Sequence, residues 1–270
     1  MKEKTAKNVF IKTNGTPSSK KHEKQVRSAL EDGSFRIMDR YDRSCDLIVC
    51  IGGDGTFLNL IHELDFPKAP IIGVNTGHLG FFQEIEPAET TAFIKSYRSG
   101  NYKTQKMAAV DIELSDGQKK YKETGLNEIV VRGPIGKNIH LGLSIGESFI
   151  EDFTGDAILV ATPAGSTAYN YSLGGSIVDP GLELLQVTPI APINTVAYRS
   201  FTSSIVLPPK GNLGLKPRTA DDGDVHVEFD GFSVEYEDIK EMNVKLSSRK
   251  ITLLRLDSYD FWNKVKSKFL

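Results

Sequence analysis

Leu47-Ile48-Val49-Cys50-Ile51-Gly52-Gly53-Asp54-Gly55-Thr56-Phe57-Leu58-Asn59-Leu60-Ile61 decides how the first hundred residues are read. The apolar run before the glycines reads as a buried strand, the glycine cluster as a tight turn, and the second apolar stretch as the start of a helix. Glycines at such a turn let the backbone come close to a ligand, and a helix N-terminus attracts anions. A negative charge at the centre of a phosphate-binding turn works against that attraction. Asp54 therefore points to chemistry beside a phosphate, as a base for a hydroxyl or as a metal contact. Its plainer reading is a helix cap, and this segment alone leaves both open.

Outward from this turn, strand and helix alternate. Strands are expected at residues 9–12, 35–38, 46–51 and 70–74, and helices at 17–30, 56–64 and 87–98. Prolines open the first and last of these helices, and Gly100 follows the last. This alternation predicts an open parallel sheet with helices on its faces. Ligands in such sheets bind beyond the carboxyl ends of the strands, where the glycine turns 52–55 and 77–80 both fall. From residue 102 the period becomes two. Residues 111–114 lead into Ser115-Asp116-Gly117, 139–145 alternate strictly, and 225–229 and 232–236 flank Asp230-Gly231, a strong hairpin signal. Strands at 244–246 and 251–256 continue the series. This half predicts stacked antiparallel sheets, sandwich-like, with a helix start at 165–171 as an interruption. Phe261, Val265 and Phe269 recur at four-residue spacing, which predicts an amphipathic helix packing back on the first domain. The expected organisation is an α/β domain at 1–101, a β-rich domain at 102–256 and a returning helix at 257–270.

Thirty-three basic and 35 acidic side chains leave a net charge of −2, which gives no reason to expect nucleic acid or an anionic membrane as a partner. No apolar run is long enough for a membrane span, and the charged N-terminus does not read as a secretory signal. Cys45 and Cys50 are five positions apart and would point to opposite strand faces, so reduced thiols and a cytoplasmic location are expected. The five histidines show no zinc-site spacing, and no residue is assigned to a metal.

The Gly52–Thr56 turn lacks both the Lys-Ser/Thr of a Walker loop and the spacing of a dinucleotide fingerprint. Two further stretches carry chemistry. In Leu126-Asn127-Glu128-Ile129-Val130-Val131, Asn127 can pair with an adenine or amide edge, and the Glu128 carboxylate can accept both hydroxyls of a ribose diol. A polar strand start is the plainer alternative. In Asp156-Ala157-Ile158-Leu159-Val160-Ala161-Thr162-Pro163-Ala164-Gly165-Ser166-Thr167-Ala168-Tyr169-Asn170, a strand runs into a helix start rich in hydroxyls, with Tyr169 able to stack on a base. Gly174-Gly175 reads as a helix C-cap. The Asp230-Gly231 turn signal by itself assigns Asp230 no role.

Together, Gly52–Thr56, Asn75-Thr76-Gly77-His78-Leu79-Gly80-Phe81, Leu126-Asn127-Glu128 and Thr162–Asn170 resemble the NAD kinase family, in that family's order and over most of the chain. The short length and the Phe261-Trp262 tail resemble the compact enzymes of Gram-positive bacteria. The glycine turn is shared with diacylglycerol and sphingosine kinases and phosphofructokinases, whereas the Thr162 to Tyr169 block is more specific. The resemblance implies phosphoryl transfer from ATP to the 2′-hydroxyl of the adenosine ribose of NAD, with a divalent metal such as Mg²⁺. It also implies a homo-oligomer, dimer or tetramer, with a shared site. It makes Asp54 the catalytic carboxylate, with Gly55 beside it. Asn127 and Glu128 would hold the dinucleotide. Asp156, Thr167, Ala168 and Tyr169 would line the adenosine site, with Ser172 close by, Ala191 and Tyr198 near the adenine, and Leu58 and Phe81 as apolar walls. Ala161, Ala164 and Thr154 depart from relatives that carry hydroxyls or a basic residue there, so those contacts are not expected. A lipid kinase sharing the glycine turn and a non-catalytic nucleotide sensor are the alternatives. The absence of an apolar docking stripe argues against the first, and the retained Asp54 against the second.

Overall fold

The computed structural model describes residues 6–31, 33–77, 80–196 and 199–269; His78, Leu79 and Tyr198 lie outside the described residues. The chain divides into two compact units, Met1–Met107 with Lys250–Leu270, and Ala108–Arg249.

In the first unit the elements run β1 (Lys7–Thr13), α1 (Pro17–Ala29), β2 (Phe35–Met38), β3 (Leu47–Gly52), α2 (Asp54–Glu63), β4 (Ile71–Asn75) and α3 (Thr90–Ser99). The strands pair in parallel in the order β2-β1-β3-β4. All six residues of β3 are buried, as expected of a strand covered on both faces. Thr16 caps α1 by accepting from Ser19 N–H, with Pro17 in the first turn. Gly100, at φ 74°, closes α3 in the left-handed conformation that glycine adopts without strain. The segment read as one helix at 87–98 opens with a 3₁₀ turn, Pro87–Glu89, before α3. Val9, Val26, Leu30, Val49, Ile72 and Phe93 form part of the core. Both cysteines are free and buried. Burial, followed by the nearby Asp54 charge, pushes the Cys50 thiol up to about 12.

The strands then continue as β5 (Lys103–Ser115), β6 (Lys120–Gly125), β7 (Glu128–Arg132), β8 (Ile139–Ile145), β9 (Ser148–Gly155) and β10 (Ala157–Ala161). The one-turn helix α4 (Tyr169–Ser172) follows, then β11 (Leu185–Ile190), β12 (Ile205–Leu207), β13 (Asn212–Pro217), β14 (Val225–Phe229), β15 (Phe232–Tyr236) and β16 (Glu241–Arg255). One sheet of the second unit is antiparallel in the order β12-β11-β10-β7-β14-β15. Facing it, β13 pairs with β16 and β8, β8 with β9, and β5 with β16 and β6. Side chains from both sheets, among them Ile112, Leu141 and Val244 against Val131, Val160 and Val227, build one core. This is the expected sandwich. The β14–β15 hairpin turns at Asp230 and Gly231, with φ of 50° and 91°, as a two-residue turn of the primed kind requires.

Three expectations change. The strands read separately at 244–246 and 251–256 are one strand, β16; the polar run Ser247-Ser248-Arg249-Lys250 hides its continuity, although Ser247 is buried. The sheet is mixed rather than wholly parallel, because β16 runs parallel to β4 and antiparallel to β13. The helix expected over 165–171 is a 3₁₀ turn, Gly165–Thr167, followed by α4, since Ala168 leaves helical geometry at ψ −131°.

The final helix, α5 (Phe261–Phe269), buries Phe261 and Val265 and returns to the first unit. Its Phe261 and Phe269 rings lie 5.8 and 5.9 Å from Phe81. Among the described residues no helix is long and apolar enough to cross a membrane.

Candidate active site

In the first unit the glycine turn places Asp54 as the first residue of α2. Gly53 is the N-cap and no side chain among the described residues caps the helix, so the capping explanation of Asp54 is set aside. The carboxylate instead reaches the segment after β4. Its Oδ2 accepts from Phe81 N–H at 3.0 Å and its Oδ1 from Phe82 N–H at 3.1 Å. Gly80 makes this approach possible, because a Cβ there would lie 2.2 Å from Asp54 Oδ1. Gly52 packs against Thr56 in the same way, whereas a Cβ on Gly53 or Gly55 would meet open space. Those two glycines are not demanded by protein packing, and the first amides of α2 have no acceptor within the helix.

The segment bonded by Asp54 is fixed from its other side by the C-terminal part of the unit. Arg255 pairs with Glu84 at 2.9 Å, both side chains being almost fully buried, and donates to Phe81 O at 3.2 Å. Glu84 also accepts from Leu256 N–H. Lys264 donates to Gln83 O and lies 3.8 Å from Glu84. Burial, followed by Arg255, lowers its ammonium to about 8. Lys268, one turn on, stands 3.9 Å from Asp54 Oδ2 and 4.7 Å above the Phe81 ring. Phe81 is thus enclosed by α5, while Leu58 is half-buried.

In the second unit Asn127 and Glu128 enter β7 at the middle of the six-stranded sheet. Asp230 holds this entry: its two carboxylate oxygens accept from Leu126 N–H at 2.6 Å and Asn127 N–H at 2.7 Å. Thr162 stitches the other side, donating its hydroxyl to Leu126 O at 2.7 Å and its N–H to Asn127 O at 2.9 Å. Gly165 lies against the same carbonyl, where a Cβ would come within 2.0 Å of Asn127 O. Asn127 Oδ1 and Glu128 Oε2 are buried and have no hydrogen-bond partner among the described residues. An unpaired buried acceptor is costly unless a ligand donor satisfies it. Burial, followed by the Asp230 charge, pushes the Glu128 carboxyl up to about 8. Glu128 lines a cavity of about 380 Å³ together with Val130, Tyr169, Asp230 and Phe232.

The hydroxyl-rich block divides by role. Ser166 and Asn170, fully buried, bond internally to Pro163 O, Val178 N–H and Thr188. Thr167 is buried and bonds Ala164 O at 3.4 Å; Ala168 is half-buried, and Tyr169 and Ser172 are exposed. Asp156 and Ala191 are exposed together at the other end of β10, where Ala157 pairs with Ile190. Glu128 pairs with Ala161, roughly 13 Å along the strand from that end. The structure therefore brings Asn127, Glu128 and Tyr169 to one region and Asp156 and Ala191 to another. Asp230 is the participant that sequence reading left without a role. Its hairpin turn was legible, but its partners are more than a hundred residues away.

The family model of the ATP-NAD kinase N-terminal domain matches residues 1–102, and that of the C-terminal domain residues 126–256. The chain is 37% identical over 249 residues to the NAD kinase of Finegoldia magna, covering 91% of each chain. It is 32% identical over 237 residues to NAD kinase 1 of Listeria monocytogenes, covering 86% of this chain and 89% of that one. An NAD kinase from Archaeoglobus fulgidus, solved in complex with ATP, superposes with a TM-score of 0.75 at 25% identity, covering 97% and 99% of the two chains. Yeast NADH kinase, solved with NADH, shares the fold with a TM-score of 0.83 at 20% identity, covering 97% of this chain and 87% of the other. With both domain models matched in order over most of its length, the chain belongs to the ATP-NAD kinase family.

Proposed function

We propose that this protein transfers the terminal phosphoryl group of ATP to the 2′-hydroxyl of the adenosine ribose of NAD, giving NADP and ADP, with Asp54 as the general base. Family membership supports the reaction. The observation that carries the assignment of the base is a carboxylate in an open glycine turn that caps no helix and is fixed by two backbone amides. Each carboxylate oxygen keeps a lone pair for a substrate hydroxyl. As the ribose oxygen attacks the γ-phosphorus, its proton passes to Asp54, the new O–P bond forms, and the bond to the ADP oxygen breaks. Base catalysis of this kind contributes about 10²- to 10⁴-fold; positioning and charge neutralisation supply most of the remainder.

Glu128 and Asn127 would hold the dinucleotide through their unpaired buried acceptors, with Tyr169 beside the cavity. Leu58, Thr167, Ala168 and Ser172 would complete the apolar and adenosine contacts. Asp156 and Ala191, exposed at the far end of β10, are proposed to serve a second copy's dinucleotide in a homo-oligomer. Among the described residues no three His, Cys, Asp or Glu side chains gather into a metal site. Mg²⁺ would arrive on the triphosphate, with Asp54 as a candidate protein ligand. There it would neutralise phosphate charge.

The test is NADP formation from NAD, ATP and Mg²⁺, read through an NADP-specific dehydrogenase. Turnover in the wild type should fall by about 10² or more in Asp54→Asn, with NAD binding retained. Near-normal turnover in that variant would remove Asp54 as the base. No NADP from an NAD-binding wild type would turn attention to other donors or to a sensor, and phosphorylation of a lipid extract in place of NAD would favour a lipid kinase.

A further inference from the structure

We propose that Lys268, on the last turn of α5, binds the terminal phosphates of the phosphoryl donor, a role that rests on the kinase reading above. Four observations carry it. The first is charge balance around the segment that holds Asp54. Arg255, Lys264 and Lys268 bring three cations to two carboxylates, Glu84 and Asp54, so one positive charge is in surplus among the described residues. A net cation beside a carboxylate suits a site that has still to receive an anion.

The second is where that surplus sits. Arg255 is committed to Glu84, Phe81 O and Gln105, and Lys264 to Gln83 O and Glu84. Lys268 alone of the three makes no hydrogen bond among the described residues. At 3.9 Å from Asp54 Oδ2 it is attracted to the carboxylate without donating to it. Its side chain is 35% exposed, against 3% for Arg255 and 15% for Lys264. The ammonium therefore has its hydrogen-bond donors uncommitted among the described residues and is close enough to Asp54 to meet an incoming phosphate there.

The third is that its head group is placed against a packed aromatic face. The ammonium lies over the Phe81 face, and the Phe261 and Phe269 rings pack on the same phenylalanine. The fourth concerns Lys264. Burial disfavours its charge, and its contacts with Gln83 O and Glu84 offset that cost. Its position against Glu84 and Gln83 O fixes the helix that carries Lys268 and leaves Lys268 as the unspent cation.

Lys268→Met keeps the stem and removes the charge, while Lys268→Arg keeps the charge. ATP binding with Mg²⁺ is measured by calorimetry in the wild type and in the Asp54→Asn background, where no turnover interferes. Lys268→Met should weaken ATP binding about tenfold in both, as for loss of one charge-assisted contact. NAD binding should stay within about twofold and the thermal midpoint within about 2 °C. Lys268→Arg should keep most of the affinity. Tripolyphosphate should lose affinity as ATP does if the contact is with the phosphate chain, and AMP should lose none. Unchanged ATP binding in Lys268→Met overturns the proposal, as does equal weakening of AMP and ATP, or a wild type that binds neither ATP nor tripolyphosphate. A wild type that binds ATP but forms no NADP defeats the kinase reading alone, and the binding comparison then still decides the role of Lys268.

Discussion

Asp54 and Asp230 follow one local design. Each precedes a glycine in a turn, and each carboxylate accepts from two successive backbone amides of a distant segment. Such charge-assisted bonds are each worth about 1.5–3 kcal/mol, enough to fix the backbone on which Phe81 or Asn127 sits. Glu128 contrasts with both, because one of its oxygens is unpaired among the described residues and its carboxyl is raised to about 8 by burial and then by Asp230. For an acid raised in this way, the stability contribution is present below the unfolded value of about 4.3 and is lost as pH rises through 8. Glu128→Gln, neutral throughout, should flatten the stability of the free protein between those pH values; urea midpoints measured across the window check this. NAD affinity should move the other way, rising through about pH 8 as the carboxylate becomes available to ribose hydroxyls. In Glu128→Gln it should be weak and flat, and an equally pH-dependent titration in the variant would contradict the ribose role.

At the scale of elements, glycines divide into those that packing demands and those that it does not. Gly165→Ala would drive a methyl group into the Asn127 carbonyl, a backbone atom with little room to retreat. It should cost about 1–3 kcal/mol of stability, read as a lowered urea midpoint, and weaken NAD binding. Gly55→Ala, facing open space, should leave stability within about 0.5 kcal/mol yet weaken ATP binding; a variant that binds ATP normally would argue against close approach of phosphate to the turn. Local pattern made most elements legible. The strict alternation at 139–145 and the two arms around Asp230-Gly231 were read with the bounds that β8, β14 and β15 have. What escaped was tertiary. The role of the Asp54 carboxylate depends on the loop at Phe81, 27 residues away, and the purpose of Asp230 depends on Leu126, 104 residues away. Asp54 and Glu128 stood out as candidates because a charge in a glycine turn, or at the mouth of a buried strand, is out of place locally. Asp156 and Ala191 could be named from the family likeness, but their separation from Glu128 along β10 follows from the strand register.

For the molecule as a whole, ligand binding should appear as stability. NAD at about a hundred times its dissociation constant adds about 2.7 kcal/mol to a folded state that binds it. That should raise the thermal midpoint by roughly 5 °C or more. Asp54→Asn should show the full rise and Glu128→Gln a much smaller one, which separates catalysis from holding the dinucleotide; equal rises in all three would place the dinucleotide elsewhere. The two cysteines have a further use at this scale. Both are buried, and their thiols are raised, Cys50 to about 12, so neither presents a thiolate near neutral pH. Maleimide dyes should therefore pass over the native chain. A cysteine introduced at exposed Ser172, three residues after Tyr169, would be the one position to take such a dye, giving a single-site fluorescent reporter of dinucleotide binding without first removing a native thiol.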